Sequence, residues 1–236
     1  MTRRRNWLCA GVVLTVAALT APSAVAAAAD ATMLIPPPPA GQARYAVEKG
    51  GVVLGEAKLR WQRHGNRYEV RLSTVTTGVT ALILPFTEER ISRGEVTPDG
   101  WWVPVEVRRE RPERPPEYLV RDGKGVIVTR KGKEYRYLAA ANAQDFLSLL
   151  FSLPEQVARG QTSGAATLLG LKGEKAIGYR LVVGQALPEG AAQPIVAATA
   201  AGDWQVTSWW ATTSPARLVQ LQVSGKEGAF LYRLLP

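Results

Sequence analysis

Cysteine and histidine are almost absent from this chain of 236 residues, and each absence excludes a class of chemistry. The single cysteine, Cys9, lies in an N-terminal segment that we predict is removed. The rest of the sequence then has no thiol for a disulfide, a nucleophile or a metal site. The single histidine, His64, lies in the turn-like sequence Arg-His-Gly-Asn, and we interpret it as a solvated hairpin residue. A Ser-His-Asp triad and a histidine-rich metal site are therefore not expected.

Patterns for phosphate binding and for paired carboxylates are also missing. The glycines lie in hairpin turns and not in a phosphate loop between a strand and a helix. Glu88 and Glu89 are neighbours on a predicted strand, so they point to opposite faces, and we expect one of them to pair with Arg90 or Arg93 on the surface. Asp145 is explained by capping the helix that it opens. We therefore predict no catalytic residue, no cofactor and no metal, and a protein that is not an enzyme.

The chain has no hydrophobic run as long as the roughly 20 residues that span a bilayer. Three arginines at 3–5 precede an apolar segment at 7–19, and the small-x-small sequence 24–26 follows. This order of basic, apolar and small residues predicts a secretory signal peptide over 1–26. We expect an exported protein that is not transmembrane after signal cleavage, and whose export follows the general or the twin-arginine pathway.

Positive charge exceeds negative charge, with a formal net charge of +9, but the basic residues are spread along the chain. The densest tract, 108–116, mixes both signs and ends in prolines, so it is predicted to be a solvated loop between strands. A docking surface for anionic headgroups or polysaccharide is the second interpretation of this tract. Nucleic acid is not an expected partner of an exported protein.

Most of the sequence after residue 42 alternates between apolar and polar residues. An Ala- and Pro-rich linker is predicted over 27–42, followed by a single β-rich domain over 43–236. In the segment 56–62, for example, Ala57, Leu59 and Trp61 alternate with charged and polar residues, which is the period of a half-buried strand. About a dozen such strands predict a mainly β fold, an antiparallel curved sheet that forms a half-barrel or a barrel. The apolar segment 79–86 is ambiguous between a strand covered on both sides and a short turn leading inward.

One segment, 142–153, has the spacing of a helix. Phe146, Leu149, Leu150 and Leu153 fall at i, i+3, i+4 and i+7, which predicts one short amphipathic helix packed on the sheet as a plug or lid. Asn142 is the predicted N-cap, Asp145 follows it as in a capping box, and Pro154 is predicted to end the helix.

Aromatic residues are numerous, with seven Trp and seven Tyr. A barrel that is wider than its side chains can fill holds an apolar or amphiphilic ligand, although simple core packing explains buried aromatics as well. The candidate lining of an apolar groove comprises Tyr45, Trp61, Tyr68, Phe86, Trp101, Phe146, Leu150 and Tyr179.

Five stretches in succession carry a resemblance to a known family: 45–47 (Tyr-Ala-Val), 54–57 (Leu-Gly-Glu-Ala), 89–94 (Glu-Arg-Ile-Ser-Arg-Gly), 99–104 (Asp-Gly-Trp-Trp-Val-Pro) and 144–148 (Gln-Asp-Phe-Leu-Ser). In this order they resemble the bacterial exported proteins of domain-of-unknown-function family 3108. The resemblance implies a β-rich periplasmic protein of a Gram-negative bacterium, and it implies no particular activity.

Three hypotheses follow. The first is a non-enzymatic binding or carrier module for a lipid-like or cell-envelope ligand, held between the sheet and the helix. The second is an envelope scaffold or assembly factor that contacts another protein through a sheet edge or through the tract 108–116. The third is hydrolysis by carboxylates, with Asp145 in the catalytic role.

Overall fold

The computed structural model of the protein describes residues 34, 36–170, 173–182, 192–212 and 216–236. The predicted signal peptide, 1–26, lies outside these residues, as does the first part of the predicted linker. In the described part of the chain, no helix combines the length and the hydrophobicity that a membrane crossing requires.

Over the described residues, the fold is a single antiparallel sheet of fourteen strands with two helices. Its strand order is β8-β7-β6-β5-β4-β3-β2-β1-β14-β13-β12-β11-β10-β9, so almost every strand pairs with its neighbour in sequence. The elements are β1 (Ala40–Lys49), β2 (Val52–His64), β3 (Arg67–Thr76), α1 (Gly78–Ile83), β4 (Thr87–Val96), β5 (Trp102–Arg111), β6 (Arg114–Asp122), β7 (Gly125–Arg130), β8 (Lys133–Leu138), α2 (Phe146–Ala158), β9 (Ser163–Gly170), β10 (Gly173–Leu181), β11 (Ala192–Thr199), β12 (Gln205–Ala211), β13 (Leu218–Gly225) and β14 (Gly228–Leu234). This confirms the predicted mainly β, antiparallel architecture.

The sheet curves until its two ends, β8 and β9, lie close together. Within the described residues these strands do not pair with each other, so the sheet is not closed. The Tyr137 hydroxyl of β8 donates a hydrogen bond to the Gly170 carbonyl of β9 at 2.8 Å. Gln144, just before α2, forms an isolated parallel bridge with Leu168 of β9. A side chain and a short connecting segment thus join the ends that the strands leave open.

Helix α2 starts later and ends later than predicted. Its N-cap is Asp145, not Asn142: the Asp145 side chain accepts a hydrogen bond from the Leu147 amide, and the Ser148 hydroxyl completes the capping box. Pro154 lies inside the helix, although proline removes one helical hydrogen bond. The turns beyond Pro154 persist because they are packed in the core and because the Gln156 side chain donates to the Asp99 carbonyl at 2.8 Å.

The curved sheet encloses α2, so the helix does not lie on one face of the sheet. Every residue from Leu147 to Val157 is buried. Phe151 lies at the centre of this core, with its ring centroid 5.5 Å from that of Trp61, 4.9 Å from that of Trp102 and 6.1 Å from that of Trp210. Because these tryptophans come from β2, β5 and β12, one helix brings distant parts of the sheet into a common hydrophobic core.

Two segments contain β-strand where the sequence predicted a loop or a linker. The tract 108–116 is not a loop: β5 and β6 form a hairpin across it, and Pro115 and Pro116 lie in β6 opposite a bulge between Arg109 and Arg111. Prolines are tolerated there because the bulge interrupts the ladder of backbone hydrogen bonds. The predicted linker is also shorter than 27–42, because β1 starts at Ala40 and the Trp61 indole donates to the Pro38 carbonyl.

The ambiguous segment 79–86 is not a covered strand, and only its end, at the half-buried Phe86, leads inward. Its first five residues lie in α1, Gly78–Ile83, and none of the six residues of this helix is buried. The helix connects β3 to β4. An apolar sequence alone predicted burial, and here that prediction is wrong.

Candidate functional site

A cavity of about 650 Å³ lies inside the curved sheet beyond the N-terminal end of α2. Its wall is formed by residues of β1 to β5 on one side and of β9, β13 and β14 on the other, with Phe146 of α2 between them. A sheet of this many strands encloses more space than its own side chains fill, and one helix fills only part of it. The volume falls within the range of about 300 to 1,000 Å³ that small-molecule sites occupy.

The wall of the cavity is mainly apolar. Twelve aliphatic or aromatic side chains without a polar group, or with only an indole nitrogen, line it: Val47, Leu54, Leu72, Val75, Leu84, Phe86, Phe146, Leu168, Leu169, Trp204, Val223 and Phe230. They come from both halves of the sheet, so the apolar surface surrounds the space. An apolar chain placed here would bury its surface against these groups, at about 25 cal/mol per Å² of area removed from water.

One part of the wall carries an arginine cluster, which we define as Arg90, Arg109 and Arg111 around Glu88. The Glu88 carboxylate is only 5% exposed. Its Oε2 accepts hydrogen bonds from Arg109 Nε at 2.9 Å and from Arg111 Nε at 2.6 Å, and its Oε1 pairs with Arg90. A buried carboxylate is stable only when it is paired and hydrogen-bonded, which these three guanidinium groups provide.

The cluster continues into a smaller space of about 170 Å³ that shares Arg90, Arg109, Phe146 and Leu169 with the cavity. Glu117 lies there, 3.3 Å from Arg109 Nη1 and 2.8 Å from Arg130 Nε. Four guanidinium groups therefore share two carboxylates, which leaves this network with a net formal charge of +2. Such a surplus favours an anionic group in the cavity.

The cations of the wall also lie on its aromatic rings. The guanidinium carbon of Arg111 is 5.4 Å from the centroid of the Phe86 ring, and that of Arg90 is 5.8 Å from the centroid of the Phe146 ring. At another edge of the cavity, Lys49 Nζ is 4.9 Å from the Phe230 ring centroid. These contacts orient positive charge next to apolar surface, which is the combination that an amphiphile with an acidic head requires.

Two ionisable groups with a raised pKa adjoin the cavity, the half-buried Tyr232 and the buried Asp145. Burial raises the pKa of the Tyr232 phenol, so this hydroxyl stays protonated and neutral in the wall. Burial also raises the pKa of Asp145, and the hydrogen bond that Oδ2 accepts from the Ser92 hydroxyl at 2.5 Å opposes that rise. Asp145 lines the smaller space, but its Oδ1 accepts from the Leu147 amide, so its role here is to cap α2.

The predicted lining residues divide into two groups. Phe86 and Phe146 line the cavity and are half-buried. Six others are buried in the core: Tyr45, Trp61, Tyr68, Trp101, Leu150 and Tyr179. In this group Trp61 packs on Phe151, and Trp101 packs edge-on against Tyr179 with ring centroids 6.2 Å apart. These six residues therefore form part of the core in and around α2, and other residues line the cavity.

Sequence reasoning missed the arginine cluster. It predicted that Glu88 or Glu89 pairs with Arg90 or Arg93 on the surface. Glu88 does pair with Arg90, but inside the sheet, whereas Glu89 pairs with Arg71 at 3.2 Å on the other face. The alternation of Val107, Arg109 and Arg111 in β5 contained the signal. It was hidden because the tract from 108 was assigned to a loop.

The other sequence-level candidates are located as follows. His64 is exposed at the end of β2, next to the turn into β3, as predicted. Among the residues that the structure describes, no group of three or more His, Cys, Asp and Glu side chains is arranged to hold a metal ion.

No protein-family model and no curated protein sequence matches this chain. Among solved structures, it is similar to the crystal structure of a β-barrel-like protein of domain of unknown function DUF1849 from Brucella abortus. The TM-score is 0.56 at 12% identity, over 83% of this chain and 95% of that chain. The chain has a β-barrel-like fold. At this identity the similarity shows the fold alone, so the resemblance to family 3108 stays a prediction.

Proposed function

We propose that this β-barrel-like protein is a non-enzymatic periplasmic binding module, and that its ligand is an amphiphile with an apolar tail and an anionic head. The observation that carries the proposal is the cavity of about 650 Å³, whose wall is mainly apolar and whose charged part has a surplus of arginine. The tail lies among Leu72, Phe146 and Phe230, and the head lies beside Arg90 and Arg111.

The periplasmic location comes from the predicted signal peptide and from the resemblance to exported proteins of family 3108. Lipid-like molecules that have an apolar tail and an anionic head are abundant in the cell envelope. The β-barrel-like fold supports a binding role because barrels hold ligands in the space that their side chains leave.

The test uses cis-parinaric acid, a fluorescent fatty acid that has both an apolar tail and a carboxylate. We expect saturable binding to the purified protein, displaced by oleate. Arg111→Gln removes one charged hydrogen-bond donor at the head site, which reduces affinity by about tenfold or more. Arg180→Gln is the matched control. Arg180 is exposed on β10, so this substitution removes the same charge at a position away from the cavity. Absence of saturable binding, or an equal loss in both variants, would refute the proposal.

An envelope scaffold is the alternative function, and one observation favours it. Strand β8 lies at the end of the sheet with Tyr135 and Leu138 exposed, which is the type of edge that a partner strand extends. Native mass spectrometry of protein purified from periplasm separates the two functions. A retained amphiphile supports the binding module, and a defined complex with another protein supports the scaffold.

A further inference from the structure

Helix α1 presents large aliphatic side chains to solvent. Leu82 is 84% exposed and Ile83 is 79% exposed, and Val79 and Leu84 beside them are also exposed. A single exposed leucine is ordinary, whereas four in one short connection are not. A helix of six residues is also too short to be stable through its own hydrogen bonds, so its apolar side chains point to a surface that covers them.

The tip of the β1–β2 hairpin extends this apolar surface. Val52 is 59% exposed and Val53 is similarly exposed, and α1 packs beside β2. The Thr77 amide donates to the Leu54 carbonyl at 3.2 Å and holds the two elements together. We name this surface the rim patch, and it comprises Val52, Val53, Val79, Leu82, Ile83 and Leu84.

The rim patch borders the mouth of the cavity. Leu84 belongs to both, and Leu54 and Val75, next to the patch, also line the cavity. The Thr76 hydroxyl donates to the Leu84 carbonyl at 3.1 Å and accepts from the Phe86 amide at 2.9 Å, which fixes the end of the α1 connection at this mouth. A surface covering the patch would therefore lie directly over the opening.

The charges around the patch identify the surface. The sequence has no charged residue between Lys49 and Glu56 or between Arg71 and Glu88, so the patch itself is uncharged. Lys49 pairs with Val52 across the hairpin, Lys49 and Arg111 both line the cavity that the patch borders, and the sequence has a formal net charge of +9. An uncharged aliphatic surface next to cations is complementary to an anionic bilayer, whose acyl chains take the aliphatic groups and whose headgroups take the cations.

We infer that the rim patch inserts into the interface of an anionic lipid bilayer and places the mouth of the cavity on the membrane. This inference deepens the proposed function and rests on it, because an amphiphile then moves between bilayer and cavity without crossing water. Leu82 and Ile83 enter the acyl boundary, and Val52 and Val53 lie beside them.

The test is co-sedimentation with vesicles of phosphatidylcholine alone and of phosphatidylcholine mixed with phosphatidylglycerol. The wild type sediments with the anionic vesicles. The double variant Leu82→Ser, Ile83→Ser binds them at least about tenfold more weakly, since it removes the two most exposed side chains from the acyl boundary. Leu138→Ser is the matched control, because Leu138 is 80% exposed on β8, away from the patch, and its replacement leaves vesicle binding unchanged. All variants share one N-terminus, so residues 1–26 contribute equally.

Three results would overturn the inference: wild-type protein that stays in the supernatant, equal binding by the double variant, or equal binding to neutral and anionic vesicles. Binding of cis-parinaric acid without vesicles is measured in parallel, and the double variant retains it. Wild-type protein that binds cis-parinaric acid but not anionic vesicles therefore counts against the rim patch, whereas absence of cis-parinaric acid binding in the wild type counts against the proposed function.

Discussion

Asp145 is a buried carboxyl whose role in the structure is to cap α2, although a buried carboxyl is also a candidate for catalysis. Its side chain accepts hydrogen bonds from the Leu147 amide and the Ser92 hydroxyl, and both partners belong to the framework that holds α2 in the sheet. The sequence suggested capping for this residue, and the structure confirms it. What the sequence could not show is the burial, because Ser92 is distant along the chain and reaches Asp145 only after β4 and α2 pack.

Substitution of Asp145 separates its capping role from its charge. Asp145→Ala removes the cap and is expected to lower the free energy of unfolding by about 1 to 2 kcal/mol at neutral pH. Asp145→Asn keeps an oxygen that accepts from the Leu147 amide and is expected to cost less. Urea unfolding at neutral pH checks both variants, and equal losses would contradict the capping role.

The pH dependence of Asp145 has a definite sign. Because burial raises the pKa of the folded carboxyl above its value of 3.8 in an unperturbed chain, the unfolded state loses its proton first as pH rises. Ionised Asp145 therefore lowers stability, and this loss accumulates from the unfolded pKa up through the folded pKa. The wild type should gain stability relative to Asp145→Asn as pH falls through that window. A difference that moves the other way in acid unfolding curves would contradict the buried carboxyl.

Phe151 lies at the centre of the hydrophobic core, among tryptophans of distant strands. Its ring contacts three tryptophans from three strands and is 1% exposed. Phe151→Ala leaves a cavity among them and is expected to lower the free energy of unfolding by about 3 to 5 kcal/mol, with a red shift of tryptophan emission. Leu138→Ala is the control, expected to stay within about 0.5 kcal/mol of the wild type because Leu138 is exposed. Similar losses in both variants would show that α2 does not organise the core.

At the scale of elements, the strands were the most predictable part of the molecule. Alternation with a period of two is written within each strand, so β2, β3 and β4 follow from their own residues. Elements whose environment is set by distant residues were not predictable. Pro154 is tolerated inside α2 because the sheet packs around the helix, and Pro115 and Pro116 are tolerated in β6 because a bulge lies opposite.

Close approach of β2 and β3 depends on Gly55. A Cβ at this position would collide with the Val75 carbonyl oxygen, so Gly55→Ala forces the strands apart at the wall of the cavity. The expected loss of stability is about 1 to 3 kcal/mol, the usual cost of overpacking. Gly178→Ala in β10 is the matched control, since a Cβ there approaches only the Gly164 carbonyl oxygen, at 4.0 Å. Thermal unfolding compares the two, and an equal effect would mean that the contact at Gly55 is relieved at little cost.

At the scale of the whole molecule, the sequence predicted the architecture but not the site. A curved sheet around a helix follows from many short strands and one apolar helical segment. Which residues line the remaining space depends on how far α2 reaches into the sheet. Six of the predicted lining residues therefore lie in the core, and the arginine cluster around Glu88 lines the cavity. A local pattern does not contain that information, because β4, β5 and α2 meet there only in three dimensions.

The most direct test of the proposed ligand site is a crystal structure of the protein grown with a fatty acid that carries bromine at the end of its chain. The anomalous scattering of bromine locates the tail, and the electron density locates the carboxylate. We expect bromine among Phe146, Phe230 and Leu72, with the carboxylate within hydrogen-bond distance of Arg90 or Arg111. Bromine found only on the outer face of the sheet, or a carboxylate turned away from the arginine cluster, would contradict the proposed site.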